Sequence, residues 1–190
     1  MTMNQTEQST GLLAAVARGD AGAFEALYDR YSSMLYALLL RILGNAEDAQ
    51  EVLQEAFVKV WTNAQMFDAE RGSEIAWLIS ITRSRGIDKL RSRRTRNERE
   101  NDAGREVSIH VGFTEKTTGA DHAIQSQEGT AVRGALAALP DAQRVALELA
   151  YFEGFSQSEI AERLGEPLGT IKTRMQLGMK KLRESLRAFQ

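Results

Sequence analysis

Residues 156–187 constrain this chain more than any other stretch, because their sequence, SQSEIAERLGEPLGTIKTRMQLGMKKLRESLR, has the spacing of two short helices joined by a tight turn. Ser156 and Glu159 form the pattern of a capping box, in which each side chain accepts a hydrogen bond from the other residue's backbone N–H. A helix is therefore expected to begin at this point. Gly165, Glu166 and Pro167 predict its end, since glycine tolerates a positive φ and the residue before proline avoids the α conformation.

The second of these helices is expected to have two different faces. At about 100° per residue, one side is apolar and should face a core. It carries Ile171, Met175, Met179, Leu182 and Leu186. The other side carries mainly hydroxyl, amide and cationic groups: Thr170, Thr173, Gln176, Leu177 and Lys180, with Lys172 and Arg174 at its edges. A helix-turn-helix with such a face is typical of major-groove recognition, although an amphipathic helix pair with a solvated surface has the same charge pattern.

The composition excludes several classes of function. The 190 residues include no cysteine, which excludes disulfides and cysteine-ligated zinc or iron. His110 and His122 stand alone in polar sequence, so neither a metal site nor a cofactor is predicted. No apolar run approaches the ~20 residues needed to span a bilayer, and the first residues lack the features of a signal peptide. We therefore expect a cytoplasmic protein.

The net charge of −2 conceals a strong asymmetry along the chain. Residues 1–82 contain five Lys and Arg against eleven Asp and Glu, whereas residues 83–99 contain eight against two. An acidic front half and a basic segment are expected to serve different partners.

The spacing of apolar residues predicts an all-α fold of two small helical domains joined by a flexible linker, with the helix-turn-helix in the C-terminal domain. Expected helices cover residues 12–18, 21–43, 46–63, 73–95, 131–139 and 141–152, besides the two described above. The domains are predicted at residues 12–96 and 130–190. Residues 1–11 are expected to form a disordered tail, and residues 97–129 a linker whose apolar content is too low for burial.

Two of these helices change character across their faces or along their length. Helix 46–63 should bury Val52, Leu53, Ala56, Phe57 and Val60, and its opposite side carries Glu47, Asp48, Glu51, Gln54 and Glu55. Helix 73–95 begins apolar almost all round, so its first half is expected to be buried. The residues concerned are Ile75, Trp77, Leu78, Ile79 and Ile81. Its arginine-rich second half either presents cations to phosphate or is a solvated basic end.

Two parts of the chain resemble one protein family. The string LPDAQRVALELAYFEGFSQSEIAERLGEPLGTIKTRM is similar to the promoter-binding C-terminal domain of bacterial RNA polymerase sigma factors. The strings FEALYDRYSSMLYALLLRILGNAEDAQEVLQEAFVKVW and AWLISITRSRGIDKLRSRR resemble the N-terminal conserved domain of the same family. The two-domain length resembles its extracytoplasmic-function (ECF) group. Two motifs in this order are more specific than a single helix-turn-helix.

The resemblance implies roles for the first domain. Asp48, Glu51, Gln54 and Glu55 match the surface that docks on the clamp helices of the polymerase's largest subunit. The loop at residues 64–72 and the helix after it match the region that recognises and melts the −10 element. The implied pocket walls are Gln65, Met66, Phe67 and Asp68. The implied backbone contacts are Arg83, Arg85, Lys89, Arg91, Arg93 and Arg94. Trp77 lies in an apolar run and is expected to pack in the core rather than to stack on a base.

The resemblance also implies that the helix-turn-helix reads the −35 element as duplex DNA. The residues concerned are Ser156, Gln157, Thr170, Lys172, Thr173, Arg174, Gln176, Leu177 and Lys180. Two positions depart from the family pattern, since many relatives have asparagine in place of Ser84 and a basic residue in place of Leu177. A hydroxyl cannot reproduce the paired donor and acceptor of an amide. Leucine can contact a thymine methyl group instead.

The predicted function is that of a transcription initiation factor, which binds core RNA polymerase and directs it to promoter DNA through the −10 and −35 elements. No catalytic constellation is recognisable, so neither enzyme activity nor a cofactor is predicted. An anti-sigma factor is the expected further partner, and membrane insertion is not expected. Two alternatives stay open: a stand-alone helix-turn-helix regulator with a sensing or dimerisation domain, and an adaptor whose helical front domain binds partners.

Overall fold

The structure, a computed structural model, describes residues 5–100 and 134–186, with side chains at 11–96 and 134–185. The described residues are largely helical and include no strand, which confirms the all-α prediction. The α-helices are α1 (Gln5–Val16), α2 (Ala21–Leu43), α3 (Ala46–Asn63), α4 (Glu74–Glu100), α5 (Asp141–Tyr151), α6 (Gln157–Leu164) and α7 (Leu168–Leu186). A short 3₁₀ helix, Ala64–Met66, follows α3, and residues 134–137 form a further helical turn. No helix among the described residues is long and apolar enough to cross a membrane.

The chain divides into two compact units, Met1–Lys89 and Leu90–Gln190. The boundary falls inside α4, so the last turns of that helix are grouped with the second unit. The expected linker begins in a helix, because α4 extends to Glu100 rather than ending near Thr95. Residues 101–129 lie outside the described residues, as do His110 and His122.

The predicted breaks around α2 are confirmed by the capping contacts. Asp20 Oδ1 accepts a hydrogen bond from Ala23 N–H at 3.0 Å at the start of the helix, and Gly44 ends it with a φ of +63°. Asn45 Oδ1 accepts from Asp48 N–H at 2.9 Å and so begins α3. The first helix was predicted too short, since α1 begins at Gln5 rather than at Leu12.

The core of the first unit lies between α2, α3 and the buried side of α4. The predicted inward residues of α3 are all buried, and Leu27, Leu35 and Leu39 of α2 pack with them at 1% exposure or less. Gly86 of α4 permits a close approach to α2, because a Cβ at this position would lie 2.9 Å from Leu39 Cδ2. Glycine therefore lets the two helices approach more closely than alanine would allow without a shift of the Leu39 side chain.

The expectation that the first half of α4 is buried all round is wrong. Among its five apolar residues only Leu78 is fully buried, while Ile75, Trp77, Ile79 and Ile81 are half-buried. The buried positions lie on one side of the helix: Glu74, Leu78, Thr82 and Gly86 at a spacing of four residues, and Ile87 beside the last of them. The helix therefore contacts the core along one face, and the rest of its apolar surface lies at least partly open to solvent.

The second unit is built around the helix-turn-helix. Leu149 of α5, Ile160 and Ala161 of α6 and Ile171 of α7 form its buried core. The capping box predicted at Ser156 is present, and Gly165 ends α6 with a φ of +65°. Phe155, Leu164 and Met175 pack against this core, together with Val145 and Ala150.

The prediction that Met179 faces the core is wrong, because its side chain is 48% exposed. Gly178 is buried in its place, and a Cβ there would lie 2.8 Å from Leu147 Cδ1 of α5. At this turn of α7, the buried position is therefore residue 178 and not residue 179, which the sequence predicts. Leu182 is half-buried, and the side chain of Leu186 lies outside those that the structure describes.

Candidate nucleic-acid interface

The acidic side of α3 is accessible along most of its length. Glu51, Gln54 and Glu55 are exposed and Asp48 is half-buried. Lys89 of α4 lies beside the first part of this face, with its Nζ 2.6 Å from Glu51 Oε2 and 3.6 Å from Asp48 Oδ1. The hydrogen bond to Glu51 is the main reason that the pKa of Lys89 is raised. Lys89, predicted as a DNA contact, thus faces the acidic side of α3.

The same side of α3 continues into apolar residues that sequence reasoning missed. Val58 is 63% exposed and Trp61 is 39% exposed, although both are large hydrophobic residues. Val58 lies four residues after Gln54, and Trp61 lies three residues after Val58, so the three positions share one helix face. The signal was present in the sequence, because neither residue belongs to the predicted inward stripe. Trp61 also packs edge-on against Phe24, with ring centroids 5.2 Å apart.

A pocket of about 320 Å³ opens between the loop after α3 and the first turns of α4. Its loop wall contains three of the four predicted pocket residues, Met66, Phe67 and Asp68, whereas Gln65 is exposed and does not line it. The α4 wall contains Trp77, whose ring meets that of Phe67 edge-on at a centroid distance of 5.8 Å. Trp77 is therefore half-buried at the pocket wall and not enclosed in the core. Sequence reasoning missed the other lining residues: Arg71, Gly72, Ser73, Ala76 and Ser80.

The loop wall is held by its own backbone contacts. Asp68 Oδ1 accepts a hydrogen bond from Glu70 N–H at 2.9 Å, and Asp68 O accepts from Arg71 N–H at 3.1 Å. Met66 projects beyond the loop and is 74% exposed. The pocket thus combines an ordered turn, a carboxylate and two aromatic rings, which are the groups that can enclose and stack on a flat ligand.

The predicted cations of α4 have different surroundings. Arg83 and Arg85 are half-buried and Arg93 is exposed. Ser84 is exposed and lines a second, shallower depression of about 300 Å³ with Arg85 and Lys59. Arg91 and Arg94 belong to the second unit and donate hydrogen bonds there.

The loop before α6 accepts the hydrogen bonds of these two arginines. Arg91 Nη2 donates to Gly154 O at 2.7 Å. Arg94 donates from Nη1 to Glu153 O and from Nη2 to Glu153 Oε2, both at 2.8 Å. The guanidinium of Arg94 also lies over the ring of Phe155 at 4.4 Å from its centroid. Both side chains therefore have partners within the chain.

The polar face of α7 has the accessibility expected of a recognition surface. Lys172, Thr173, Gln176 and Lys180 are exposed, as is Leu177 at 45%. Thr170 is half-buried, and Thr173 donates its hydroxyl to Gly169 O at 2.9 Å. Arg174 is half-buried and pairs with Glu166 at 2.8 Å, so its guanidinium is directed to the turn.

Ser156 is engaged in the capping box at the start of α6. Its Oγ accepts from Glu159 N–H at 3.3 Å, and its N–H donates to Glu159 Oε2 at 2.6 Å. The hydrogen bonds from Ser156 lower the pKa of Glu159 below its ordinary value. Gln157, the first residue of α6, is exposed. Among the residues that the structure describes, no cluster of His, Cys, Asp or Glu has the composition of a metal site.

Two models of one protein family match the chain, the first over the residues of the pocket and the second over the helix-turn-helix. Sigma-70 region 2 matches residues 27–96, and Sigma-70, region 4 matches residues 130–182. The ECF RNA polymerase sigma factor SigK of Mycolicibacterium vanbaalenii is 35% identical over 186 residues, which cover 95% of this chain and 90% of that relative. The chain belongs to the ECF RNA polymerase sigma factors.

A second curated relative supports the same family. The ECF RNA polymerase sigma factor SigK of Mycobacterium tuberculosis is 37% identical over 175 residues, covering 92% of this chain and 91% of the relative. A crystal structure of Rhodobacter sphaeroides SigE in complex with the anti-sigma ChrR is 29% identical, covers 92% of this chain and 96% of that chain, and has a TM-score of 0.46. The factor is a transcription initiation factor that directs RNA polymerase to promoters, and the stand-alone regulator is not favoured.

Proposed function

We propose that the factor docks on core RNA polymerase through the exposed face of α3, takes a base of the melted −10 element into the pocket beside α4, and reads the −35 duplex with α7. The observation that carries this proposal is the pocket. It is lined by Phe67 of the loop and by Trp77 of α4, and the same helix carries the arginine-rich segment farther along. Aromatic rings bind unstacked bases, and cations bind the strand that connects them.

The docking surface consists of Asp48, Glu51, Gln54 and Glu55, extended by Val58 and Trp61. The acidic groups complement a basic coiled coil, which steers the approach of the polymerase. The exposed apolar residues supply area that is removed from water on binding, and tryptophan is enriched at the energetic centres of interfaces. Lys89 pairs with Glu51 and Asp48 and so lowers the negative charge at one end of this surface.

The −10 surface consists of the pocket and of the cations beside it. A base that stacks on an aromatic side chain contributes about 1–3 kcal/mol. Asp68, Ser73 and Ser80 add polar groups at the pocket wall. The proposed contacts to the strand backbone are Arg83, Arg85, Lys89, Arg91, Arg93 and Arg94. Arg91 and Arg94 would have to exchange their bonds to the 153–154 loop for bonds to phosphate.

The −35 surface is centred on Gln176 and Leu177 of α7. Gln176 presents an amide that can pair with an adenine edge, and Leu177 presents an apolar group for a thymine methyl. Lys172 and Lys180 supply phosphate contacts, as do Ser156 and Gln157 at the helix N-terminus of α6. Thr170, Thr173 and Arg174 belong to the same surface but have less freedom, because they are half-buried or hydrogen-bonded within α7 and its turn.

The remaining proposals concern organisation and partners. The N-terminal sigma domain would cover residues 12–96, the linker residues 97–129, and the helix-turn-helix domain residues 130–190. The factor would act in the cytoplasm, where the template lies, and would leave catalysis to the polymerase. We also propose an anti-sigma factor as inhibitory partner, supported by the exposed Leu177 and Met179 on α7. Exposed apolar side chains among polar neighbours mark protein-binding surfaces.

Single-base substitution of the −10 element tests the pocket. Holoenzyme carrying the wild-type factor should discriminate strongly among the four bases at the extruded position in transcription assays. Phe67→Ala should lose that discrimination, because it removes one stacking wall, while binding to core polymerase stays unchanged. Glu70→Ala is the matched control, since Glu70 lies in the same loop without lining the pocket. Unchanged base discrimination by Phe67→Ala would remove the pocket from the proposal.

A further inference from the structure

Glu74, the first residue of α4, is a charged side chain in the interior of the first unit. It is 4% exposed, and its Oε2 accepts a hydrogen bond from Leu13 N–H of α1 at 3.0 Å. Its Oε1 accepts no hydrogen bond of good geometry from the described residues, although the Tyr31 hydroxyl and the charge of Arg30 act on the carboxyl and oppose the effect of burial on its pKa. Burial of a carboxyl costs free energy that an apolar side chain of similar size would not cost. Packing alone therefore does not explain a glutamate at this position.

The first turns of α4 have two functional faces. Ser73, Ala76, Trp77 and Ser80 recur at helical spacing and line the pocket. Glu74, Leu78 and Thr82 follow a second stripe and are buried. The two stripes belong to the same rigid turns, so a displacement of Glu74 carries the pocket face of α4 with it.

Helix α1, whose Leu13 N–H donates to Glu74, also contacts the element that leads into the opposite wall of the pocket. α1 packs against the 3₁₀ helix Ala64–Met66, whose first residue is 3% exposed. The chain continues directly from this helix into Phe67 and Asp68 of the loop wall. Leu13 and Val16 of α1 are 0% and 2% exposed, so the helix is firmly seated. α1 is thus in contact with the elements that carry both walls.

We propose that Glu74 is a positioning residue for the −10 pocket, which fixes α1 against both walls through its bond to Leu13 N–H and thereby sets the pocket's width. The inference rests on the proposed function of the pocket. Glu74 lies on a face of α4 away from the pocket and does not contact the base. Its effect on DNA is therefore indirect, and it depends on a carboxylate or amide oxygen at one position.

Two substitutions of similar size separate this role from packing. Glu74→Gln keeps an acceptor oxygen for Leu13 N–H, whereas Glu74→Leu fills the space and offers none. The assay is binding of a single-stranded −10 oligonucleotide, labelled with 2-aminopurine at the extruded position, to holoenzyme assembled with each full-length variant. We expect Glu74→Leu to weaken binding about tenfold and to lose the fluorescence change, because small misplacements of a built site have large effects. Glu74→Gln should behave like the wild type.

Binding by Glu74→Leu at the wild-type level would overturn the inference, and so would equal losses in both variants with native helix content and polymerase affinity. If Glu74→Leu does not fold, Val16→Ala loosens the same helix without touching Glu74 and should weaken oligonucleotide binding; wild-type binding by that variant also overturns the inference. Phe67→Ala is measured in parallel. If Phe67→Ala has no effect, the pocket assignment itself fails, whereas an effect of Phe67→Ala without one of Glu74→Leu rejects only the positioning role.

Discussion

Among single residues, the contacts distinguish side chains that are available to a ligand from side chains already used within the chain. Thr173 and Arg174 lie on the polar side of α7 but bond to Gly169 O and to Glu166. Lys172 and Gln176 on the same helix are exposed. An exposed amide can discriminate among bases by paired hydrogen bonds, while an exposed ammonium binds any phosphate.

Gln176→Ala and Lys172→Ala should therefore have different consequences. Gln176→Ala should alter the preference at one −35 position by about 1–3 kcal/mol, and Lys172→Ala should weaken binding to every sequence and flatten the salt dependence. Thr173→Ala should have a smaller effect than Gln176→Ala, because its hydroxyl is already bonded. Competition among −35 variants for holoenzyme at several salt concentrations measures all three effects. A uniform loss in all three variants would exclude direct base readout by α7.

Glu74 should make the stability of the first unit depend on pH. Burial raises the pKa of its carboxyl above the ordinary value of 4.5, against the opposing effects of Leu13, Tyr31 and Arg30. Between pH 4.5 and the raised pKa, the folded state binds more protons than the unfolded state. The free energy of unfolding therefore falls as the pH rises through that window. Glu74→Gln should remove this dependence and be more stable than the wild type at neutral pH. Urea unfolding at several pH values across the window measures the free energy of unfolding. If it changes with pH in Glu74→Gln as it does in the wild type, the dependence belongs to another group.

Among the helices, a close contact at a glycine of α7 influences which side chains lie on the surface. Gly178 of α7 lies so close to Leu147 of α5 that a Cβ would approach its Cδ1 to 2.8 Å. Met179, the next residue, is consequently turned outward and is 48% exposed. The polar face of α7 gains an apolar edge in this way.

A matched pair of glycine substitutions in α7 tests this contact. Gly178→Ala should lower the free energy of unfolding, because overpacking costs about 1–3 kcal/mol and exceeds the gain of about 1 kcal/mol in helix propensity. Gly169→Ala should be neutral or stabilising, since nothing lies within 4 Å of the added Cβ. Thermal unfolding of both variants decides between them. Equal stabilities would mean that α5 and α7 adjust to the methyl group at no cost.

Charge reversal on α3 should weaken holoenzyme assembly. Glu55→Lys places a cation opposite the basic partner proposed for this face, and like charges across an interface cost several kcal/mol. Glu55 is exposed, so the fold should survive the change. Glu25→Lys, an equal change at an exposed position of α2, is the control and should assemble normally. Wild-type affinity of Glu55→Lys for core polymerase, with native helicity, would remove this role from α3.

The starts of α2, α3 and α6 were predictable from the sequence because they depend on local chemistry. Asp20, Asn45 and Ser156 cap their helices through hydrogen bonds to residues three positions away, and the observed helices begin where these signals predict. The pocket could be predicted only on its loop side. Its α4 wall depends on which face of that helix meets the core, and a helix start that is apolar all round gives no periodicity from which to choose. Met179 was misplaced for a related reason, since a buried glycine has no hydrophobic signal.

At the scale of the whole molecule, the two proposed DNA-reading surfaces lie on either side of the predicted linker, the pocket before it and α7 after it. A promoter with a fixed spacer between its elements needs a fixed distance between these surfaces. The sequence of residues 97–129 predicts a flexible linker, for which a root-mean-square span of about 30 Å is expected with a broad distribution. Such a linker cannot define a distance, so we expect the polymerase to define it by binding both proposed domains.

Spacer length and linker length can be varied independently to test this expectation. Moving the −35 element by about five base pairs should abolish transcription by the holoenzyme, because half a helical turn presents the wrong face of the duplex to α7. Inserting a few Gly-Ser residues between residues 101 and 129 should leave the preferred spacer unchanged, since each doubling of loop length costs only about 0.6 kcal/mol. Transcription in vitro from promoters of graded spacer length, with wild-type and linker-extended factor, makes the comparison. A preferred spacer that lengthens with the linker would show that the linker, and not the polymerase, sets the distance.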